Sequence, residues 1–174
     1  MQGSLSQDDT HFLELAIKAA EMTFTQGNYP VGAVLVIAGD MVGASGNEIK
    51  GLKSYTQHAE NKLFIEYGTS LNNAFVNNQQ ITLYTTLEPC IQCLGASVTN
   101  HINKIIYIQK DPNAGASELK HDNIGQWYKD TWPEIIHAPI SDKPLEMMVK
   151  FFKQEIAAGN TKWPQKMLNL YGIY

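Results

Sequence analysis

The sequence predicts an α/β fold: a three-layer α-β-α sandwich around a five-stranded mixed sheet. Apolar residues alternate between helical spacing and short β-branched runs in the order α-β-β-α-β-α-β-(α)-β-α. A helix-length segment separates the later strands from one another, which is what parallel neighbours need. The 174 residues show no repeat, no low-complexity block and no linker, so a single domain over 1–174 with one core is expected.

Each element has a local cause. Phe12, Leu13, Ala16, Ile17, Ala20 and Phe24 recur at helical spacing after a polar start, and Gly27 and Asn28 stop that helix. Residues 31–37 are a β-branched apolar run, and Gly39-Asp40 turns it into a second strand over 41–45. Residues 46–56 read as loop. A second helix is expected over 57–67 with Thr56 as N-cap, and the polar stretch 72–80 reads as loop. Residues 81–85 form a third strand, and Pro89 presets a helix that runs to about residue 100. A fourth strand covers 105–108. The segment 111–131, with Gly115, Gly125 and scattered aromatics, has no clear period, and 134–137 form a short fifth strand. Leu145, Met148, Val149, Phe152 and Ile156 give a helix over 144–157 one apolar face. The tail 159–174 carries Trp163, Leu168, Leu170, Tyr171, Ile173 and Tyr174, too apolar for a solvated end, and is expected to pack on something.

Composition excludes several classes. Apolar residues make up 44% and charged residues 17%, an ordinary globular balance. No run approaches the roughly 18 apolar residues of a membrane span, and residues 1–10 lack the layout of a signal peptide, so a cytoplasmic protein without a membrane is expected. All 13 basic residues are Lys, Arg is absent, and the net charge is −4, which weighs against a phosphate grip on RNA. A genome poor in Arg codons explains the same fact. Two cysteines, Cys90 and Cys93, are too few for a disulfide framework and read as metal or redox chemistry.

The chemistry lies in His58-Ala59-Glu60 and Pro89-Cys90-Ile91-Gln92-Cys93. Either motif alone is weak. A second Cys pair, which a zinc ribbon requires, is missing, and a thioredoxin-like pair belongs soon after a first strand. Together the two motifs suit one catalytic zinc ion. Cys90 and Cys93, three apart on a helix, can share a face, and a helix N-terminus favours thiolates. His58 makes a third ligand and leaves one tetrahedral position for water, whose pKa zinc lowers to about 7. Glu60, two residues beyond the His, can reach that water without binding the metal and can carry its proton. Of the remaining candidates, His101 reads as a helix C-terminal residue, and His11, His121 and His137 as structural or exposed. Trp127, Tyr128 and Trp132 read as core sooner than pocket, and Met147-Met148 as helix packing.

The paired motifs carry the H-x-E and P-C-x-x-C pattern of zinc deaminases. With Pro30-Val31-Gly32-Ala33-Val34-Leu35-Val36 and the run from Thr86 to Ala96, the chain resembles the cytidine deaminase-like superfamily as far as about Ala157. It is most similar to the branch of tRNA-specific adenosine deaminases, bacterial guanine deaminases and fungal-type cytosine deaminases. That resemblance implies hydrolytic release of ammonia from a nucleobase or nucleoside. It also implies zinc on His58, Cys90 and Cys93, proton transfer by Glu60, and substrate contact by Asn47 at the end of the second strand. Gly46-Asn47 is also ordinary turn chemistry. Asp111-Pro112 and Gly115-Ala116 resemble a loop of the tRNA enzymes, whereas the apolar tail resembles guanine deaminases, in which a C-terminal aromatic segment closes the site. A small purine such as guanine is therefore expected ahead of a tRNA anticodon loop, and RNA is disfavoured by charge. A catalytically silent zinc-binding partner subunit is the alternative of another class. A homodimer is expected, with residues 159–174 over the active site or a subunit interface.

Overall fold

The structure is a computed structural model describing residues 5–173; Tyr174 of the apolar tail lies outside the described residues. Helix α1 (Gln7–Thr25) starts ahead of its apolar stripe because Ser6 and Asp9 close a capping box. Asp9 N–H donates to Ser6 Oγ at 3.0 Å, and Ser6 N–H donates to Asp9 Oδ2 at 2.9 Å. Strands β1 (Gly32–Ile37) and β2 (Asp40–Gly46) form the expected hairpin, but its turn lies one residue earlier, on Ala38 and Gly39. Both have positive φ, as a two-residue primed turn requires.

Parts of two expected loops are helical. Helix α2 (Ile49–Leu52) is one turn ended by Lys53 in the left-handed region. Thr56 does not cap helix α3 (Ala59–Glu66): His58 is the N-cap, and Thr56 Oγ1 instead shares a hydrogen bond with Ser54 Oγ at 3.1 Å. Helix α4 (Gly68–Val76) takes in the first half of the polar stretch read as loop. It buries only Leu71 and Ala74, a single i,i+3 pair too sparse to show a period. Packing of that pair on the core outweighs the weak helix propensity of its Asn and Ser residues.

The later strands and helix fall close to expectation, namely β3 (Ile81–Leu87), α5 (Ile91–Thr99), β4 (Lys104–Gln109) and β5 (Glu134–His137), while the segment without a clear period contains one short helix, α6 (Gln126–Asp130). Helix α7 (Lys143–Ala157) buries Met147 and Phe151 beside Met148 and Phe152. Its inner face is thus rotated from the expected one, leaving Leu145, Val149 and Ile156 half-buried. The tail forms α8 (Lys162–Leu170), which buries Pro164, Met167 and Leu168.

The sheet order is β2-β1-β3-β4-β5; β1 is antiparallel to both neighbours, and β3, β4 and β5 are parallel. Strand alternation divides the core. Val34, Val36, Tyr84, Ile106 and Ile108 pack with Leu13, Ala16 and Ala20 of α1, while Ala33, Leu35, Leu83 and Ile105 pack with Leu63 of α3 and Leu94 of α5. No described helix is long and apolar enough to cross a membrane. The strand directions bring the start of β1 and the ends of β2, β3 and β4 to one edge, and crevices at strand carboxyl ends are where open α/β sheets bind ligands.

Candidate active site

At that edge His58 is the N-cap of α3 and Cys90 the N-cap of α5, both in extended backbone, with Glu60 and Cys93 in the respective first turns. Neither position carries the Ser, Thr, Asp or Asn that a helix start prefers. Two helix N-termini, each with unpaired N–H groups and a positive dipole end, meet around the sulfurs. His58 Nδ1 lies 3.3 Å from Cys93 Sγ and 3.6 Å from Cys90 Sγ, and the three ligand atoms all lie within 4.8 Å of one another. Tetrahedral zinc with Zn–S of about 2.3 Å and Zn–N of about 2.05 Å needs N···S edges of about 3.6 Å. The donor set and its spacing therefore fit zinc, and among the described residues no other His, Cys, Asp or Glu group does.

The three donors share protons unequally. The Cys93 thiol and then His58 hold the Cys90 thiol down to about 4, against burial. The bond to Cys90, together with burial, pushes Cys93 up. The Cys90 sulfur holds His58 above its ordinary value against burial, with Glu60 and the Tyr55 carbonyl adding to it. Glu60 is 3% exposed; burial raises its pKa, which its own backbone N–H and His58 only partly offset. Thr85 Oγ1 donates to Glu60 Oε1 at 3.4 Å, whereas Oε2 is buried without a hydrogen-bond partner. A buried carboxylate oxygen left unpaired is costly.

Asn47 follows β2 directly and is 4% exposed. Its Oδ1 accepts from Ile49 N–H at 3.0 Å, its N–H donates to Val31 O at 2.9 Å, and its carbonyl accepts from Thr23 Oγ1. Asn47 lines a cavity together with His58, Glu60 and Cys90. This cavity measures about 1190 Å³. Its walls include residues that sequence reasoning missed: Tyr29, Lys50 and Glu155, and Asp111, which was noticed only as part of a loop. None belongs to a spaced motif, so no local signal marks them. Trp163, Pro164 and Met167 of α8 also line it. Trp163 stands 5.3 Å, ring to ring, from both Tyr29 and Phe152, which fixes the tail against α7 and the start of β1.

The other candidates lie elsewhere. Trp127 and Tyr128 are neither core nor cavity wall, being 47% and 42% exposed on α6, a short surface helix with little to bury it. Trp132 packs against the core and stacks on His121 at 4.7 Å. His101 stacks on Phe75 at 3.7 Å, and His137 Nε2 bonds Ile108 O at 3.0 Å. Met147 and Met148 are buried, as helix packing requires.

Chemically this is a hydrolytic zinc centre carried on an α/β sheet, and known proteins of that class match it in sequence and in structure. The cytidine and deoxycytidylate deaminase zinc-binding region matches residues 6–109, and the chain belongs to that family of zinc-binding deaminases. It is similar to a tRNA-specific adenosine deaminase of Aquifex aeolicus, 36% identical over 105 residues, 60% of this chain and 68% of the relative. The corresponding Agrobacterium fabrum protein is 30% identical over 146 residues, 84% of this chain and 95% of the relative. A solved structure from work on A-to-I editing by tRNA:A34 deaminases has 30% identity and a TM-score of 0.59, covering 79% of this chain and 99% of its own. The five-stranded mixed sheet with its helices is thus the cytidine deaminase-like fold.

Proposed function

We propose that the protein hydrolytically deaminates a free purine base or its nucleoside, guanine foremost, and releases ammonia. One observation carries the preference for a small molecule: helix α8 of the same chain walls the cavity with Trp163, Pro164 and Met167. A volume of about 1190 Å³ leaves room for a nucleoside, and polar groups such as Asn47, Lys50 and Asp111 stand beside apolar wall from Val31, Phe151 and Trp163. Zinc, held by His58, Cys90 and Cys93, supplies a Lewis acid and lowers the pKa of water. Asn47 orients the ring through its NH2. Glu60 Oε2 takes one proton from water and passes it to a ring nitrogen as the water oxygen bonds to the ring carbon; it then carries the second proton of that oxygen to the amine as the C–N bond breaks, so water enters and ammonia leaves. A reducing compartment such as the cytoplasm, which keeps the Cys90 and Cys93 pair from oxidising, is part of this reading. A homodimer is part of this reading, and sedimentation of the purified chain reads that state directly.

A second reading, adenosine deamination in a tRNA anticodon loop, is favoured by the names of the relatives. The test is ammonia release by the zinc-loaded protein from guanine, guanosine, cytosine, cytidine, adenine, adenosine and an anticodon stem-loop, beside Glu60→Ala. Turnover of a free purine or its nucleoside, lost in the variant, is expected. Activity confined to the stem-loop replaces our reading with the second. Inactivity throughout, with stable capture of a deaminase partner, points instead to a silent zinc-binding subunit.

A further inference from the structure

Glu88 is buried two residues before Cys90, and its carboxylate is taken up entirely by the loop after β4. Oε2 accepts from Asp111 N–H at 3.0 Å, and Oε1 accepts from Ser117 N–H at 3.0 Å and from the Ser117 hydroxyl. The backbone joins the same segments: Ala116 N–H donates to Pro89 O at 3.0 Å, and Cys90 forms an isolated bridge with Gly115. Gly115 makes the room, since a Cβ there would stand 2.3 Å from Glu88 Oε2. Within the loop, Asp111 Oδ1 accepts from Asn113 and Ala114 N–H at 2.9 and 3.1 Å. Asp111, Asn113 and Ala114 are also cavity wall.

We infer that Glu88 is a positioning residue: it fastens the cavity-facing loop 111–117 to the Cys90 turn and so sets the gap between the metal ligands and the opposite wall. A carboxylate accepting backbone N–H groups makes charge-assisted bonds about twice as strong as neutral ones. Glu88 itself lines the cavity, but both of its oxygens are engaged by donors of a loop that has no strand or long helix of its own to hold it, so its carboxylate acts on substrate through the loop. The inference rests on the cavity being the substrate site.

The experiment uses the full zinc-loaded chain with Glu88→Gln, which keeps the shape but turns an amide NH2 toward an N–H donor. Hydrogen exchange at the Asp111 and Ser117 amides is expected to speed up about ten- to a hundredfold. Zinc content stays as in the wild type. KM for the substrate identified above rises roughly tenfold while kcat changes less. Gly115→Ala, which displaces the carboxylate from the loop side, gives the same pattern and serves if the first variant does not fold. Unchanged exchange at both amides overturns the tether. Faster exchange with unchanged KM, or loss of zinc, overturns the positioning role. Exchange is read without substrate, so failure of the deaminase reading is told apart from failure of this one.

Discussion

Glu60→Gln separates what Glu60 does for the reaction from what it costs the fold. The side chain is 3% exposed and Oε2 has no hydrogen-bond partner. An unsatisfied buried polar group costs about 1–3 kcal/mol, and more when charged. The isosteric amide removes the charge, so the chelator-treated variant gains about 1 kcal/mol or more, a rise in Tm of about 2–4 °C per kcal/mol for a chain of this size. Proton transfer is worth about 10²–10⁴ in kcat, or about 2.7–5.4 kcal/mol of barrier, and that is the expected loss. Zinc is retained, because Glu60 is not in the ligand group. Burial first, with Cys90 adding, raises the Glu60 pKa against its own N–H and His58. With a raised folded-state pKa, wild-type stability from this group is fully present below about pH 4.3 and is lost as pH rises through the folded value. Gln does not titrate, so the stability gap in favour of the variant opens over that window. Calorimetric melts across pH in chelator, zinc analysis and ammonia release measure the three parts. A variant that keeps more than about a tenth of turnover, loses zinc, or melts below wild type at neutral pH refutes the reasoning.

Two further predictions concern the fold. Gly32→Ala places a Cβ 2.2 Å from Ala16 O and 2.5 Å from Ala20 N, both backbone, and should destabilise by about 1–3 kcal/mol or more, read as a lower urea midpoint at unchanged slope. Asp9 is pushed up by burial, but the Ser6 N–H, the Tyr84 and Ser6 hydroxyls and Lys104 together hold it below its ordinary value. Its stabilising effect is therefore present above about pH 3.9 and lost as pH falls through the folded value. Asp9→Asn should lower Tm at neutral pH and flatten the acid limb of the Tm profile; an unaltered limb sinks the assignment.

The sequence by itself determined the strands, the long helices and the metal ligands, because each depends on near neighbours. β1 is a continuous apolar run, β3 and β4 are rich in β-branched and aromatic residues, and β5 coincides with its expected span. His58, Glu60, Cys90 and Cys93 stand in two short motifs at helix starts, where spacing alone sets which side chains share a face. The capping box at Ser6 and Asp9 is equally local, although only the apolar stripe behind it marked the helix. Tertiary structure decided the rest. Helix α4 exists because one Leu71–Ala74 pair finds the core, a gain that local propensity cannot register. The burial of Glu60, the cavity wall from Tyr29 through Asp111 to Trp163, and the hold of Glu88 on the loop 111–117 join residues far apart in the chain. Desolvation and long-range hydrogen bonds exist only once distant segments have packed, so no window of sequence could have displayed them.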